Sequence, residues 1–278
     1  MNRFLFPCAL VLALVLAGAG CLHAPYATND TATARHHVMQ QLLQGVAGSI
    51  QRDLDGLDAT ASLAAHNLGV TGLSGPEADG ILRSVVSSHP CIHTAITYDA
   101  NGTVRAVEPA DVKVIIGQNL LDQENVRRAT STQKPLMSEY FTLAEGGEAV
   151  SIARPVFSPG GEYLGALSMT FSPSCLVAPY AGEANRYAPV IVNVAQQDGR
   201  ILYHPDRALI GKPTFNEPAF ASFPGVLALA RRYADERSGY ATFSFYRTGT
   251  DVVVEKEAFW DTVGLHGTEW RVMVIGER

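Results

Sequence analysis

Among the 278 residues, the side chains best suited to chemistry are suited to holding a small molecule, and none is arranged to break a bond. Arg154 stands beside Pro155 at the end of an apolar stretch. A guanidinium there can fork onto a carboxylate with two parallel hydrogen bonds. Its other reading is a surface ion pair with a nearby Glu. Tyr98, Ser138, Tyr140, Ser151 and Thr170 fall on stretches with strand character. A polar group facing inward must be paired or it costs stability. Each of the five is therefore either a ligand contact or a packing residue satisfied by its neighbours. The chain has no Gly-x-Ser-x-Gly elbow, no His-Glu-x-x-His, no Walker loop and no Cys-x-x-Cys, so no enzymatic activity is expected. His36, His37, His66, His89 and His93 do not fall at metal-ligand spacing, and His204 belongs to a His-Pro turn. Neither a metal nor a cofactor is expected. Asp53 and Asp55 read as the wet face of a helix.

Bulk composition narrows the partners. Hydrophobic residues make up 47% and charged residues 17%, enough apolar content for one large domain or two modest ones. The net charge of -6 repels a polyphosphate backbone, which argues against nucleic acid. Met1, Asn2 and Arg3 make a short basic start, and an uncharged run follows from Phe4 to Ala19. Leu16-Ala17-Gly18-Ala19-Gly20 then leads to Cys21. Charge, apolar run and small residues together mark a secretory signal. The run is shorter than the ~20 residues of a membrane-spanning helix. Small residues before a Cys resemble the lipobox of lipoproteins, in which the Cys is acylated; here that is Cys21, although Gly18 stands where Leu is usual. An uncleaved anchor and ordinary cleavage nearby are the alternatives. The expected location is the outer face of the cell membrane, held by the lipid.

The rest of the chain must supply the elements that position these groups. Residues 26–34 are small and polar and read as a tether. From Arg35 to Leu68, apolar residues recur at three and four: Met39, Leu42, Leu43, Val46, Ile50, Leu54, Leu57, Ala61 and Leu63. Gly69 and Gly72 end this long helix, and Pro76 opens a shorter one. Strand patterns follow at Ile92 to Tyr98 and Thr103 to Glu108, joined by an Asn101-Gly102 turn. A helix is expected from Gln123 to Thr132. Further strands are expected at Glu139 to Leu143, Glu148 to Phe157 and Tyr163 to Phe171, with Pro173 and Pro179 closing the block. A second block repeats the scheme: a hairpin around Asp198-Gly199, a helix from Phe223 to Asp235, and strands from Tyr240, Val252 and Trp270. The fold class is α+β: a long N-terminal helix and two antiparallel-sheet units.

Several motifs carry a family resemblance. They are Arg154-Pro155-Val156 with Gly160-Gly161-Glu162-Tyr163-Leu164-Gly165, and Gln197-Asp198-Gly199-Arg200-Ile201-Leu202-Tyr203-His204-Pro205 with Leu209-Ile210-Gly211-Lys212. With the long helix and the repeated unit, they resemble the double Cache sensor domain of chemoreceptors and sensor kinases, over roughly Arg35 to Ile275. The resemblance implies two PAS-like lobes on one helix, with a small molecule held in the membrane-distal first lobe. The boundaries expected are a signal peptide (1–20), a tether (21–34), an N-terminal helical region (35–89), a membrane-distal lobe (90–180) and a membrane-proximal lobe (181–278). Members that bind amino acids carry Arg-x-Trp, a Tyr and an Asp. Here Tyr140 matches, but residues 122–126 lack the Arg-x-Trp and Thr170 stands at the Asp position. A polar or anionic small ligand other than a conventionally held amino acid is therefore expected. The ligand set would be Tyr98, Ser138, Tyr140, Ser151, Arg154 and Thr170. In a PAS-like sheet, Cys91 and Cys175 lie at the ends of neighbouring antiparallel strands and would form a disulfide; two buried thiols are the alternative. The chain stops after its last strand without a kinase, methyl-accepting or cyclase region. A separate sensor kinase, chemoreceptor or transporter is thus the expected partner. The alternative role is an envelope lipoprotein acting as an interaction module with a degenerate pocket.

Overall fold

In the computed structural model, which describes residues 26–143 and 148–278, the helical spacing near the N-terminus becomes one 46-residue helix, α1 (Tyr26–Thr71). Cys21 and the leader lie outside the described residues. The helix begins at Tyr26, so residues 26–34, expected as a tether, are helical. Ala27, Ala32 and Ala34 are strong helix formers. Extending a helix that already exists adds one hydrogen bond for each residue fixed. Met39, Leu43, Val46, Ile50, Leu54, Leu57, Ala61 and Leu68 form its buried stripe. Leu63 does not join them: it is 64% exposed, and the stripe continues through Ala64 and Ala65. At the C-terminal end, the Gly72 N–H returns to the Leu68 carbonyl at 2.8 Å with φ at 92°, a left-handed cap that suits glycine. Gly69 serves packing instead. A Cβ there would lie 2.2 Å from the Phe157 carbonyl oxygen, so only glycine lets the helix approach this closely.

α2 (Pro76–Ser87) lies beside α1 and leads into the first sheet. That sheet contains β1 (Ile92–Asp99), β2 (Val104–Glu108), β3 (Leu136–Met137), β4 (Phe141–Thr142), β5 (Glu148–Phe157) and β6 (Tyr163–Phe171), with α3 (Glu124–Thr132) between β2 and β3. Its order is β2-β1-β6-β5-β3, and β4 also pairs with β5. The strand expected from Glu139 to Leu143 is only the two-residue β4, and β3 forms before it, outside the expected range.

The structure also adds a helix that the prolines concealed, α4 (Pro173–Tyr187). Pro173 sits at its first position, where a missing N–H costs nothing, and the Ser172 hydroxyl caps the Cys175 N–H. Pro179 lies inside the helix and removes one hydrogen bond without ending it. The expected lobe boundary at 180 therefore falls within α4, which joins the two halves.

The second sheet repeats the first. β7 (Val190–Gln196), β8 (Ile201–Tyr203), β9 (Gly239–Tyr246), β10 (Val253–Leu265) and β11 (Thr268–Glu277) run in the order β8-β7-β11-β10-β9. α5 (Pro218–Ala221) and α6 (Pro224–Asp235) precede β9. Each sheet turns one face to α1, and these faces share a single apolar core that includes Ile50, Leu54, Ile152, Met169, Val272 and Trp270. The opposite faces carry smaller cores of their own, one around Tyr98 and Val126, the other around Phe243 and Trp260.

Polar knots fix the helix to both sheets. Asp58 of α1 accepts from Arg154 Nε at 2.8 Å and from Arg154 Nη2, and it also meets His266 Nε2 at 2.9 Å. Arg154 belongs to β5, and His266 lies at the β10–β11 turn, so one carboxylate ties the helix to both lobes. Burial pushes the Asp58 carboxyl up, but hydrogen bonds from Arg154 and His266 outweigh it, and the net direction is down. Nearer the N-terminus, the buried Glu257 carboxylate receives Arg35, His36 and the Tyr240 hydroxyl. Gln51 exchanges two hydrogen bonds with the Gly264 backbone, at 2.9 and 3.0 Å. Cys91 is bonded to Cys175 across a sequence separation of 84, with Cα atoms 5.5 Å apart.

Two outcomes follow for stability. Asp58→Ala strands a largely buried guanidinium and should cost about 3 kcal/mol, read from urea unfolding at neutral pH. A carboxyl with a lowered folded pKa stabilises above its ordinary value and loses that contribution as pH falls through the folded one. Asp58→Asn should therefore flatten the acid limb of the stability profile below about pH 4. An unchanged acid limb would refute this role. Replacing Cys91 and Cys175 together by Ser should cost about 4 kcal/mol on the chain-entropy account, seen as a lower melting temperature that reductant no longer shifts.

Candidate ligand-binding site

Successive residues of a strand face opposite sides of the sheet, so register decides which side chains can meet. In the first lobe, Thr170 lies opposite both Thr94 and Ser151, and Ser168 lies opposite both Ile96 and Ala153. Ala166 is flanked in the same way by Tyr98 and Pro155. This face points away from α1 and is covered by α3 and by the turn at 110–115. A cavity of about 30 Å³ remains between them, lined on its polar side by Thr94, Gln123, Asn125, Ser168 and Thr170. Ile96, Leu120 and Phe141 supply apolar walls. That is room for one or two water molecules.

The polar groups are held by one another. The Thr94 and Thr170 hydroxyls share a hydrogen bond of 2.6 Å. Asn125 Nδ2 donates to Ser151 Oγ at 3.1 Å. Ser138 Oγ accepts the Ser151 N–H at 2.8 Å and donates to the Glu139 carbonyl. Ser168 is 4% exposed, and its hydroxyl has no hydrogen bond to a described residue. None of the described lining residues carries a charge. The site can thus recognise hydroxyl, amide or carbonyl groups, but it offers a carboxylate no cation.

Of the residues expected from sequence, Thr170 lines the cavity. Ser151 and Ser138 stand behind it, holding Asn125 and the β3 edge. Tyr98 shares the cavity's side of the sheet. Its hydroxyl is buried without a protein partner, and burial and the neighbouring Tyr163 push its phenol upward. Arg154 does not belong to this group: it faces α1 and is occupied by Asp58. Ser151 and Arg154 are three apart on one strand, so they cannot share a face. Tyr140 packs at the border of the α1-side core, and its N–H donates to Gln196 Oε1 of the second lobe at 2.7 Å. It joins the lobes and is absent from the cavity wall. Sequence reading missed Thr94, Gln123, Asn125 and Ser168. Alternation could have found two of them, because Thr94 shares a strand face with Tyr98, and Ser168 with Thr170.

Residues 52–173 match the family model described as HK/GC/Chemotaxis protein-like, sensor domain. No curated protein matches the chain. An extracellular ligand binding receptor from Desulfohalobium retbaense is similar at 26% identity and a TM-score of 0.72, over 85% of this chain and 40% of that one. The chain therefore spans well under two thirds of that receptor's length. The ligand-binding domain of the Pseudomonas aeruginosa amino acid chemoreceptor PctB, solved with L-Arg, is 18% identical with a TM-score of 0.64, over 90% of this chain and 96% of that one. That of the Pseudomonas fluorescens chemoreceptor CtaA, solved with L-isoleucine, is 18% identical with a TM-score of 0.63, over 91% and 97%. The fold is that of a double Cache sensor domain, the fold that the ligand-binding domains of PctB and CtaA also have. Among the described residues, no helix is long and apolar enough to cross a membrane.

The Thr94–Thr170 pair gives a direct check on the wall chemistry. Thr170→Val leaves a buried Thr94 hydroxyl unpaired and should cost about 1–2 kcal/mol, whereas the Thr94→Val, Thr170→Val double variant should recover most of the loss. Additive losses in a denaturation double-mutant cycle would mean that the hydroxyls do not depend on each other.

Proposed function

We propose that the chain is an extracytoplasmic, membrane-tethered sensor whose first lobe takes a small, polar, uncharged ligand. The carrying observation is the cavity wall: hydroxyl and amide groups held in place by their neighbours, and no charge among the described lining residues. The anionic arm of the expectation rested on Arg154, whose guanidinium belongs to Asp58. Amino acids are bound by PctB and CtaA. This chain lacks the Arg-x-Trp and the Asp that grip them in the usual way, which favours a different ligand. The basic and apolar leader and the small residues before Cys21 support the tether. A separate sensor kinase, chemoreceptor or transporter would receive the signal.

A specific observation also favours the second role, an interaction module with a degenerate pocket: the cavity is only about 30 Å³, so a ligand must open it. A thermal-shift screen of the purified chain against polyols, amides, ureas, purines and amino acids separates the two. A ligand at about 100 times its Kd should add roughly 2.7 kcal/mol and raise the melting temperature by several degrees. Ser168→Val and Asn125→Leu should abolish that rise, and Arg154→Lys should leave it. A rise that survives both cavity variants would place binding elsewhere, and no rise with any class would favour the interaction module.

A further inference from the structure

The second lobe repeats the topology of the first, and its corresponding face has a different lining. A cavity of about 60 Å³ lies between its sheet and α6, walled by Phe220, Val226, Phe243, Met273 and Ile275. One polar atom in its wall is stranded: Asn193 Oδ1 is buried and has no hydrogen-bond partner. Its amide nitrogen has only Met273 Sδ, at 3.9 Å. An unpaired buried carbonyl costs free energy and awaits a donor.

His204, Leu209 and Phe245 form the mouth of this cavity and also border an outer cleft of about 380 Å³. Lys256 lies in that cleft. Its residue is 3% exposed, and its ammonium forms no hydrogen bond or ion pair with a described residue. The carboxylate nearest in register is Glu277, directly across the β10–β11 ladder. Glu277 is taken by Arg247, through three contacts of 3.0 to 3.2 Å. The Lys256 ammonium instead sits 6.0 Å over the Phe245 ring. Burial pulls its pKa down, Glu277 pushes it back up, and Arg247 adds to the fall. Burial likewise lowers His204 to about 4, so its imidazole is neutral at ordinary pH. His204 Nδ1 accepts the Asp206 N–H at 3.0 Å, which leaves the proton on Nε2 as a donor. The cleft also holds two carboxylates. Asp206 caps the Ala208 N–H, and Asp251 is exposed at the rim.

A buried cation with no anion in contact, a neutral donor beside it, an apolar chamber behind and an unpaired acceptor in the chamber wall describe one kind of guest. We infer that the second lobe is a separate binding site for a small monocarboxylate with a short apolar or aromatic body, its carboxylate held by Lys256 and His204. A hydroxyl or amine on the body would reach Asn193 Oδ1. This site shares no residue with the first-lobe cavity, so either can fail without the other.

Both tryptophans, Trp260 and Trp270, belong to the second sheet, which gives the lobe its own optical signal. The experiment titrates the purified chain with sodium acetate, butyrate, isovalerate, benzoate and 4-hydroxybenzoate, each to about 10 mM, tenfold above a millimolar Kd, while following tryptophan fluorescence and melting temperature. At least one should saturate, and its uncharged amide should not. Lys256→Met keeps the stem's volume and removes the charge, so it should leave the fold intact and weaken the carboxylate at least ~tenfold. Lys256→Arg, which restores a cation, should recover part of the affinity and covers the case in which Lys256→Met does not fold. Ser168→Val in the first lobe should leave the titration unchanged. The inference is overturned by an amide that binds as well as its carboxylate. Undiminished binding in Lys256→Met, or no saturation with any of the five salts, would overturn it too.

Discussion

Everything in this molecule depends on one apolar stripe along α1. Ile50, Leu54, Ala61 and Leu68 are fully buried, and they meet strands of both sheets in one continuous core. Each fully buried Leu or Ile is worth roughly 1.5–3 kcal/mol against water. An isolated helix of this composition would gain little from propensity alone, so its persistence over 46 residues reflects the sheets it lies on. The dependence is mutual, because each sheet would expose its larger apolar face without the helix. Burial sets no register along a smooth stripe. Register comes from directional contacts: Asp58 gripping Arg154 and His266, Gln51 reading the Gly264 backbone, and Glu257 holding Arg35, His36 and Tyr240.

With one face of each sheet committed to the helix, the other face is free to vary. The strand order is the same in both lobes. The first lobe lines its free face with Thr94, Ser168 and Thr170 and covers it with Asn125 of α3, and these satisfy much of their own hydrogen bonding. The second lines it with Phe243, Met273 and Ile275, and leaves Asn193 Oδ1 and the Lys256 ammonium unmatched. One scaffold thus carries a neutral polar chamber and an apolar chamber with a cationic mouth. The proposed binding chemistry resides in the free face, and fold stability in the shared one.

What the sequence revealed followed from strong local signals. The three-and-four spacing from Met39 to Leu57 has one physical solution, and Asn101-Gly102 and Asp198-Gly199 sit at turns where Gly102 and Gly199 take positive φ. What it hid depended on geometry that local patterns do not encode. Pro173 and Pro179 look like breakers, yet the first is a helix start and the second a tolerated interior break. Arg154 looked like an anion grip because its distant partner, Asp58, lies 96 positions away in the chain. Parity along β5 already separated Arg154 from Ser151 and was the clue to use. Alternation puts Ser168 on the face of Thr170 and Thr94 on that of Tyr98. That the two faces form one wall follows from β1 and β6 being neighbours, a pairing between strands 76 positions apart at Thr94 and Thr170.

Alternation also explains how two free faces can bear on one helix. On β6, Ser168 and Thr170 face the first cavity, while Leu167, Met169 and Phe171 between and beside them lie in the core shared with α1. On β10, Lys256 faces the second cleft, and the next residue, Glu257, faces the opposite way into the knot with Arg35 and His36 near the start of α1. A guest bound as inferred above that drew Lys256 outward would pull on the same peptide that sets the Glu257 carboxylate. Close-packed cores shift between discrete arrangements and do not yield smoothly, so a small displacement of such a strand falls on the helix packed behind it. In each lobe the group that meets the solvent cavity and the group that meets the helix are adjacent residues of one strand. That adjacency is the shortest covalent route from a bound molecule to the helix both lobes share.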